Sequence, residues 1–117
     1  MSFDHRVNDL RSRVDVSRLL HEIPKPTLAV IPGPAAGAGL SMALACDMRL
    51  GTEQARTAFL FTRVGLAGAD MGACALLPRV IGQGRASELL FTGRAMTAQE
   101  GLAWGFFNSL HAPADLL

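Results

Sequence analysis

The sequence has 117 residues, of which 50% are hydrophobic and 18% are charged, and its formal net charge is +1. This length permits one domain, or part of one. The scattered basic residues and the near-zero net charge exclude the basic face that a nucleic-acid-binding protein needs. Because a domain this small exposes much of its surface, the high apolar content predicts burial against other subunits or further segments.

The N-terminal residues contain no apolar segment of the kind found in secretory signals. Residues 26–46 are uncharged and long enough to resemble a membrane span, but they contain three prolines and three glycines, which disfavour a spanning helix. Cys46 and Cys74 lack the spacing of metal ligands and are predicted to be buried, reduced thiols. The three histidines are scattered, so no metal site is predicted. We expect a cytoplasmic protein without a membrane or nucleic-acid partner.

In chain order, residues 4–23 come first, and their apolar side chains recur mostly at helical spacing among acids and arginines. This pattern predicts a solvated amphipathic helix that leads into the core. Short aliphatic or aromatic runs predict strands at residues 27–31, 48–52, 58–61 and 106–110. Helices are predicted at residues 38–46, at residues 73–81 and from Gly82 through Leu90. A loop is predicted at residues 65–72 and an interrupted helix start at residues 112–117.

Local signals place the ends of several helices. Pro78 should kink or end the helix at residues 73–81. Gly93 is suited to cap the C-terminus of the helix that follows Gly82. Thr97 and Glu100 have the spacing of a capping box, which predicts the start of a further helix, and Gly105 should stop it.

The segment from Lys25 to Asp47 combines a short strand, a turn punctuated by glycines and an apolar helix. Gly33, Gly37 and Gly39 let the backbone turn and allow another backbone or a ligand to come close. The first N–H groups of a helix have no partner inside it, so they can hold an anion or a developing oxyanion. This segment is therefore the first candidate for a functional site.

Several ordered motifs together resemble the enoyl-CoA hydratase/isomerase (crotonase) family. The segment from Lys25 to Asp47 has the family's Lys-Pro, apolar strand, Gly-x-Ala-x-Gly-x-Gly and Cys-Asp ending. Residues 58–66, 77–94 and 98–107 are similar to its next strand and loop, its Leu-Pro-Arg and Thr-Gly-Arg stretches, and its Trp-Gly stretch. Several motifs in order are far more specific than any one of them alone.

The resemblance implies an α/β fold of the crotonase-like (ClpP/crotonase) type, a stacked ββα spiral that is incomplete at both ends. Residues 1–117 would form a single partial domain, with a helical lead-in at residues 1–24 and a core at residues 25–117. The implied ligand is an acyl-CoA thioester, with no cofactor beyond the coenzyme A that the substrate carries. Relatives assemble as trimers and hexamers, so a homo-oligomer is expected.

By motif alignment, the N–H of Ala38 is one of the two donors that stabilise the thioester oxyanion. Its neighbours Gly37 and Gly39, together with Ser41, Phe61 and Thr62, are predicted to bind substrate. The first donor would lie upstream of residue 1. An alternative interpretation is that the glycines only permit close packing of the helix.

Asp70 is the predicted proton-transferring residue. By the resemblance it lies where dienoyl-CoA isomerases and chlorobenzoyl-CoA dehalogenase carry their working aspartate. It is also the only acid between Glu53 and Glu88, and apolar surroundings raise the pKa of a carboxyl group. A turn or capping role for this aspartate is the alternative.

The two glutamates of the hydratases fall at Ser41 and at Phe61 or Thr62, none of which is an acid, so isomerisation fits better than hydration. A more remote possibility is a serine hydrolase in which Ser41 is the nucleophile and His111 the base. The contrasting hypothesis is a truncated, non-catalytic subunit of the same family.

Overall fold

The computed structural model describes residues 2–60 and 72–116. The elements before the gap are α1 (Phe3–Glu22), β1 (Leu28–Ile31), β2 (Ala35–Ala36), α2 (Gly37–Ala45), β3 (Met48–Gly51) and β4 (Thr57–Ala58). Those after it are α3 (Ala73–Ile81), α4 (Gln83–Thr92), α5 (Ala98–Ala103), β5 (Ser109–Leu110) and a 3-10 turn at Pro113–Asp115. The predicted α/β class is confirmed.

The described strands form two parallel sheets. One has the order β1-β3-β5, and the other is the short pair β2-β4. Leu28 pairs with Met48 and Ile31 with Gly51, so β1 and β3 align over their full length. Parallel neighbours need a crossover connection, and α2 supplies it between β1 and β3. Among the described residues, β1 has no strand on its outer edge.

The core is built around aromatic and aliphatic side chains from both halves of the chain. The largest of those that are less than 2% exposed are Phe59, Phe106, Leu40, Leu77, Leu89 and Met96. The Phe107 ring lies between Gly51 of β3 and Gly101 of α5. A Cβ atom at either glycine would lie 2.7 Å from a ring carbon. Phe106 packs edge-on against this ring, with 5.0 Å between the ring centres.

The predicted helix ends at Gly93 and Thr97 are confirmed. Gly93 follows α4 with a φ of 66°, in the left-handed region that glycine adopts without strain. Thr97 and Glu100 form both capping-box hydrogen bonds, each 3.1 Å long. Local side-chain chemistry therefore fixes the α4–α5 connection.

Arg94 joins the end of α4 to α5 across this connection. Its guanidinium donates to Glu88 at 2.6 Å and to Glu100 at 2.9 and 3.1 Å. The hydrogen bond from Arg94 lowers the pKa of Glu100 to about 2. The guanidinium carbons of Arg85 and Arg94 lie 5.0 and 5.6 Å from the centre of the Trp104 ring.

The helix predicted at residues 73–81 is confirmed, and Pro78 does not end it. The helix continues to Ile81, with Pro78 inside it. Proline lacks the N–H donor and its ring crowds the carbonyl four residues earlier, but its own carbonyl oxygen still accepts the N–H of Gly82 at 3.0 Å. The buried side chains of Leu77 and Ile81 keep this last turn packed against the core.

The predicted strand at residues 106–110 was too long. The N–H groups of Phe106 and Phe107 donate to the carbonyl of Gly101 at 2.8 and 3.0 Å. Because these donors close the end of α5, the strand that pairs with β3 is only Ser109–Leu110. The flanking N–H groups of Asn108 and His111 donate to the carbonyls of Arg49 and Gly51, both at 2.8 Å. The strand predicted at residues 58–61 likewise starts one residue earlier and ends at Ala58, and the predicted helix start at residues 112–117 is the 3-10 turn.

Cys74 was wrongly predicted to be buried. It is exposed on α3, and Cys46 is half-buried after α2. Within the described ranges, no helix is both long and apolar enough to cross a membrane. The same residues contain no cluster of three His, Cys, Asp or Glu side chains that could hold a metal ion.

Candidate active site at the start of helix α2

The start of α2 is held by the β2–β4 pair rather than by a side-chain cap. The N–H of Ala35 donates to the carbonyl of Arg56 at 2.8 Å. Ala36, the residue before the helix, makes no capping hydrogen bond through its side chain. The N–H groups of a first helical turn have no acceptor within the helix. The N–H of Ala38 is therefore not used by α2 itself, and no described side chain caps it.

The glycines beside Ala38 have no close packing neighbour among the described residues. A Cβ atom at Gly37 or Gly39 would meet no described atom within 4 Å. Gly37 has a φ of 58°, which favours glycine on backbone grounds. The described residues thus give no support to the interpretation that these glycines serve only close helix packing.

An open groove of about 670 Å³ begins at the start of α2. Leu20 of α1, residues 29–31 of β1 and one face of α2 line it, and that face carries Gly39 and Met42. Ala36 also lines the groove, so it reaches the uncapped helix end. Its walls are largely aliphatic, which suits a hydrocarbon-bearing ligand.

Ser41 lies on another side of α2 from this groove. Successive residues are rotated by about 100° around a helix, so Ser41 points roughly 200° away from Gly39. The Ser41 side chain is buried, and Oγ has no hydrogen-bond partner among the described residues. The predicted substrate-binding residues Gly39 and Ser41 are therefore not on one wall.

The C-terminal end of α2 is bound by the buried side chain of Arg49. Its Nη1 donates to the carbonyl oxygens of Ala43, Leu44 and Cys46 at 3.2, 3.3 and 2.8 Å. Its Nε donates to the carbonyl of Phe106 at 2.8 Å, and the guanidinium lies 5.3 Å from that ring's centre. Burial lowers the pKa of Arg49 from its ordinary value. A positive charge at the C-terminus of a helix also complements the helix dipole.

Thr27 and Asp47 fasten the beginning of β1 to the end of α2. The Asp47 carboxylate accepts the N–H of Thr27 at 2.8 Å and its hydroxyl at 3.1 Å. In return, the N–H of Asp47 donates to Oγ1 of Thr27 at 2.9 Å. These hydrogen bonds from Thr27 lower the pKa of Asp47. The strand and helix that frame the groove are thus tied together at the end away from Ala38.

Sequence reasoning missed the roles of Arg49, Thr27 and Asp47. The available signal was an arginine inside an otherwise apolar strand, because a buried charge must find several hydrogen-bond partners. For Asp47 the family motif gave the residue type but no structural partner. Phe61, Thr62 and Asp70, which were predicted to bind substrate or move a proton, lie outside the described residues.

The serine hydrolase alternative gains no support from the histidine that it requires. Nε2 of His111 lies 2.7 Å from Oγ of Ser109 on β5. Ser41 Oγ, by contrast, has no described partner. The Ser–His pair therefore involves a different serine, beside a small cavity of about 280 Å³ that Glu53 and His111 line.

Most of the chain is similar to known proteins of one family. The model of the enoyl-CoA hydratase/isomerase family matches residues 8–117. The sequence is 42% identical over 100 residues to 4-chlorobenzoyl coenzyme A dehalogenase-1 from Arthrobacter sp, and the match covers 86% of this chain and 36% of that protein.

Two solved structures have the same fold over nearly the whole chain. Enoyl-CoA hydratase from Bacillus anthracis is 31% identical with a TM-score of 0.90, and the match covers 99% of this chain and 45% of that one. An enoyl-CoA hydratase from Mycobacterium avium subsp. paratuberculosis K-10 is 36% identical with a TM-score of 0.86, covering 92% and 43%. The chain thus spans less than half the length of these relatives.

Proposed function

Because the chain belongs to the enoyl-CoA hydratase/isomerase family, we propose that it forms part of an enzyme that acts on acyl-CoA thioesters. One observation carries the proposal: the uncapped start of α2 opens on a largely aliphatic groove. A thioester carbonyl needs hydrogen-bond donors, whereas its acyl chain needs apolar walls. Ala36 and Gly39 line the groove where the helix begins, so uncapped donors and apolar walls lie close together there.

In this proposal the N–H of Ala38 donates to the carbonyl oxygen of the thioester. Negative charge develops on that oxygen when an enolate or a tetrahedral adduct forms, and a fixed donor shielded from water stabilises it. The resemblance places the other donor in a segment outside these 117 residues. Coenzyme A enters as part of the substrate, and no further cofactor is needed.

Asp70 moves the proton in the proposed reaction. This assignment rests on its position relative to Pro78 and on the family resemblance. Ser41, Phe61 and Thr62 occupy the positions of the hydratase glutamates and carry no acid, so double-bond isomerisation fits the residues better than hydration. We place the enzyme in the cytoplasm and expect a trimer or hexamer.

The second candidate is a non-catalytic subunit of the same family. The open groove beside β1 is consistent with a surface that another segment covers.

Turnover of crotonyl-CoA and of a dienoyl-CoA by the purified chain separates the two candidates. Isomerisation by the parent that falls at least about a hundredfold in Asp70→Asn would support the enzyme and its proton-transferring residue. Asp115→Asn, a change in the exposed 3-10 turn, is the matched control. Unaltered turnover in Asp70→Asn would remove Asp70 from the mechanism, and an inactive parent that is folded would favour the non-catalytic subunit.

A further inference from the structure

A serine and a histidine at β5 form a hydrogen-bonded pair that the proposed function does not use. Oγ of Ser109 lies 2.7 Å from Nε2 of His111, well within hydrogen-bonding distance. In the neutral ring with its proton on Nδ1, Nε2 accepts the hydroxyl proton of the serine. A base in direct contact with a hydroxyl is the arrangement that makes serine a nucleophile.

The backbone holds this pair at the carboxyl end of the parallel sheet. The N–H of His111 donates to the carbonyl of Gly51 at 2.8 Å, which fixes the chain just beyond Ser109. Both side chains of the pair are half-buried rather than enclosed, and His111 also lines the small cavity of about 280 Å³. A small reagent can therefore reach the pair from solvent.

The serine continues a row of aliphatic side chains across the sheet. Residues that pair in parallel strands have their side chains on one face, and the register pairs Val30 with Leu50 and Leu50 with Ser109. Because neighbouring strands are about 4.8 Å apart, Leu50 directly flanks the serine. Two residues earlier in their strands, Leu28 and Met48 extend the same face and are 48% and 43% exposed.

This sheet face is opposite to the one that α2 covers. Successive residues of a strand point to opposite faces, so Arg49, which binds the carbonyls at the end of α2, is on the other face from Leu50. The exposed fractions of Leu28 and Met48 mean that no described element encloses them. An aliphatic surface beside an activated hydroxyl is suited to a hydrocarbon chain that ends in an ester carbonyl.

We infer that Ser109 is a nucleophile that accepts the acyl group of esters of aliphatic acids. Its Oγ forms a bond to the carbonyl carbon, and the bond from that carbon to the alcohol or phenol oxygen breaks. The serine proton passes to Nε2 of His111 and from there to the departing oxygen. Leu50 and Val30 hold the acyl chain. The inference does not depend on the proposed acyl-CoA site, which lies on the other side of the sheet.

Acylation of the full chain by p-nitrophenyl hexanoate tests this inference. Release of p-nitrophenolate gives the rate, and peptide mapping after an acid quench locates the hexanoyl group, which should be on Ser109. Ser109→Ala should lose the label, and His111→Gln should be acylated about a hundredfold more slowly.

Ser87 is the matched control within the same chain. It is also half-buried, and its Oγ accepts a hydrogen bond of 3.1 Å from the amide of Gln83 instead of contacting an imidazole. It should stay unmodified in the parent, and Ser87→Ala should react at the parent's rate.

The parent's choice of ester tests the sheet face separately. Each buried methylene group contributes about fourfold, so the hexanoate should react at least about tenfold faster than p-nitrophenyl acetate. Equal rates would overturn the role of Leu50 and Val30. No acylation of the folded parent, a label on another residue, or a reaction that persists in folded Ser109→Ala overturns the nucleophile itself. Peptide mapping of the parent decides the matter if that variant does not fold.

Discussion

The two ends of α2 differ in how their backbone groups are satisfied. At the C-terminal end, Arg49 binds three carbonyl oxygens of the helix and its vicinity, and Asp47 is tied to Thr27. At the N-terminal end, the described residues provide no side-chain cap, and the groove begins there. The C-terminal end is buried, with Ala43, Leu44 and Ala45 at most 9% exposed, whereas Ala36, Ala38 and Gly39 at the start of the helix are exposed.

The difference shows that the C-terminal end serves the structure, and the proposed function assigns the N-terminal end to a ligand. Unpaired buried backbone groups are rare in native proteins because they are costly. At the C-terminal end of α2, the buried guanidinium of Arg49 binds the free carbonyl oxygens. At the N-terminal end, the N–H donors have no side-chain cap, and an acceptor can approach them. An engineered change at each end should therefore affect different measured quantities.

The largest expected effect is that of Ala38→Pro, which removes the N–H donor from the open end. Proline is tolerated in a first helical turn, so the chain should fold. Losing one oxyanion donor should lower kcat about 10²- to 10³-fold in the assay of acyl-CoA turnover. Gly84→Pro, at the corresponding second position of α4, should leave kcat within about twofold of the parent. Similar losses in the two variants would show that α2 has no special role.

The next largest effect is on the stability of the fold, and it concerns the C-terminal end of α2. Arg49→Met keeps an apolar stem but leaves the carbonyls of Phe106, Ala43 and Cys46 without their charged donor. The free energy of unfolding should fall by about 2–3 kcal/mol, as measured by urea denaturation. Arg79→Met, a change of an exposed arginine on α3, is the control and should lie within about 0.5 kcal/mol of the parent. Equal stability of the two variants would contradict the anchoring role of Arg49.

A smaller effect on stability is expected around Phe107, whose ring lies between Gly51 and Gly101. Gly101→Ala puts a Cβ atom 2.7 Å from a ring carbon of Phe107. Overpacking costs about 1–3 kcal/mol, and the better helix propensity of alanine offsets about 1 kcal/mol of it. Urea denaturation should show a net loss of about 1 kcal/mol.

The matched control for that change is Gly84→Ala in α4, where the new Cβ would meet no described atom within 4 Å. Propensity alone then acts, and the variant should be about as stable as the parent or more stable. A Gly101→Ala protein more stable than Gly84→Ala would mean that the ring is not tightly held.

The smallest effect is the pH dependence supplied by Asp47. Its pKa in the folded chain is below the ordinary value of 3.8. The hydrogen bonds from Thr27 therefore stabilise the fold above that value, and this contribution is lost as the pH falls below it. Asp47→Asn should show a smaller decrease in the thermal midpoint between pH 5 and pH 3 than the parent does. Glu53→Gln, at an exposed turn, should follow the parent.

Local signals in the sequence were sufficient to predict where α4 ends and where α5 begins. Gly93, Thr97 and Glu100 act within a few residues of their partners, so residue type and spacing determine their roles. The β2–β4 pair was not foreseen, because two-residue strands have no periodicity and their partners lie about 20 residues apart. The role of Arg49 was hidden for the same reason, since one of its partners is 57 residues away.

The candidate site was predictable in part. The motif around Gly37 located the uncapped helix start, and the structure places Ala38 there. The arrangement of Gly39 and Ser41 on different sides of α2 follows from helical rotation, which a list of motif residues does not include. Asp70 stays a prediction, because it rests on the resemblance and lies outside the described residues.

Trp104 has a practical consequence for these measurements. The sequence contains one tryptophan and no tyrosine, so intrinsic fluorescence comes essentially from one indole. That indole lies beside Arg85 and Arg94, at the junction of α4 and α5. An emission change will report the opening of this junction, whereas loss of α2 alone will be optically silent at those wavelengths. Far-ultraviolet circular dichroism recorded alongside will reveal whether the two halves melt together.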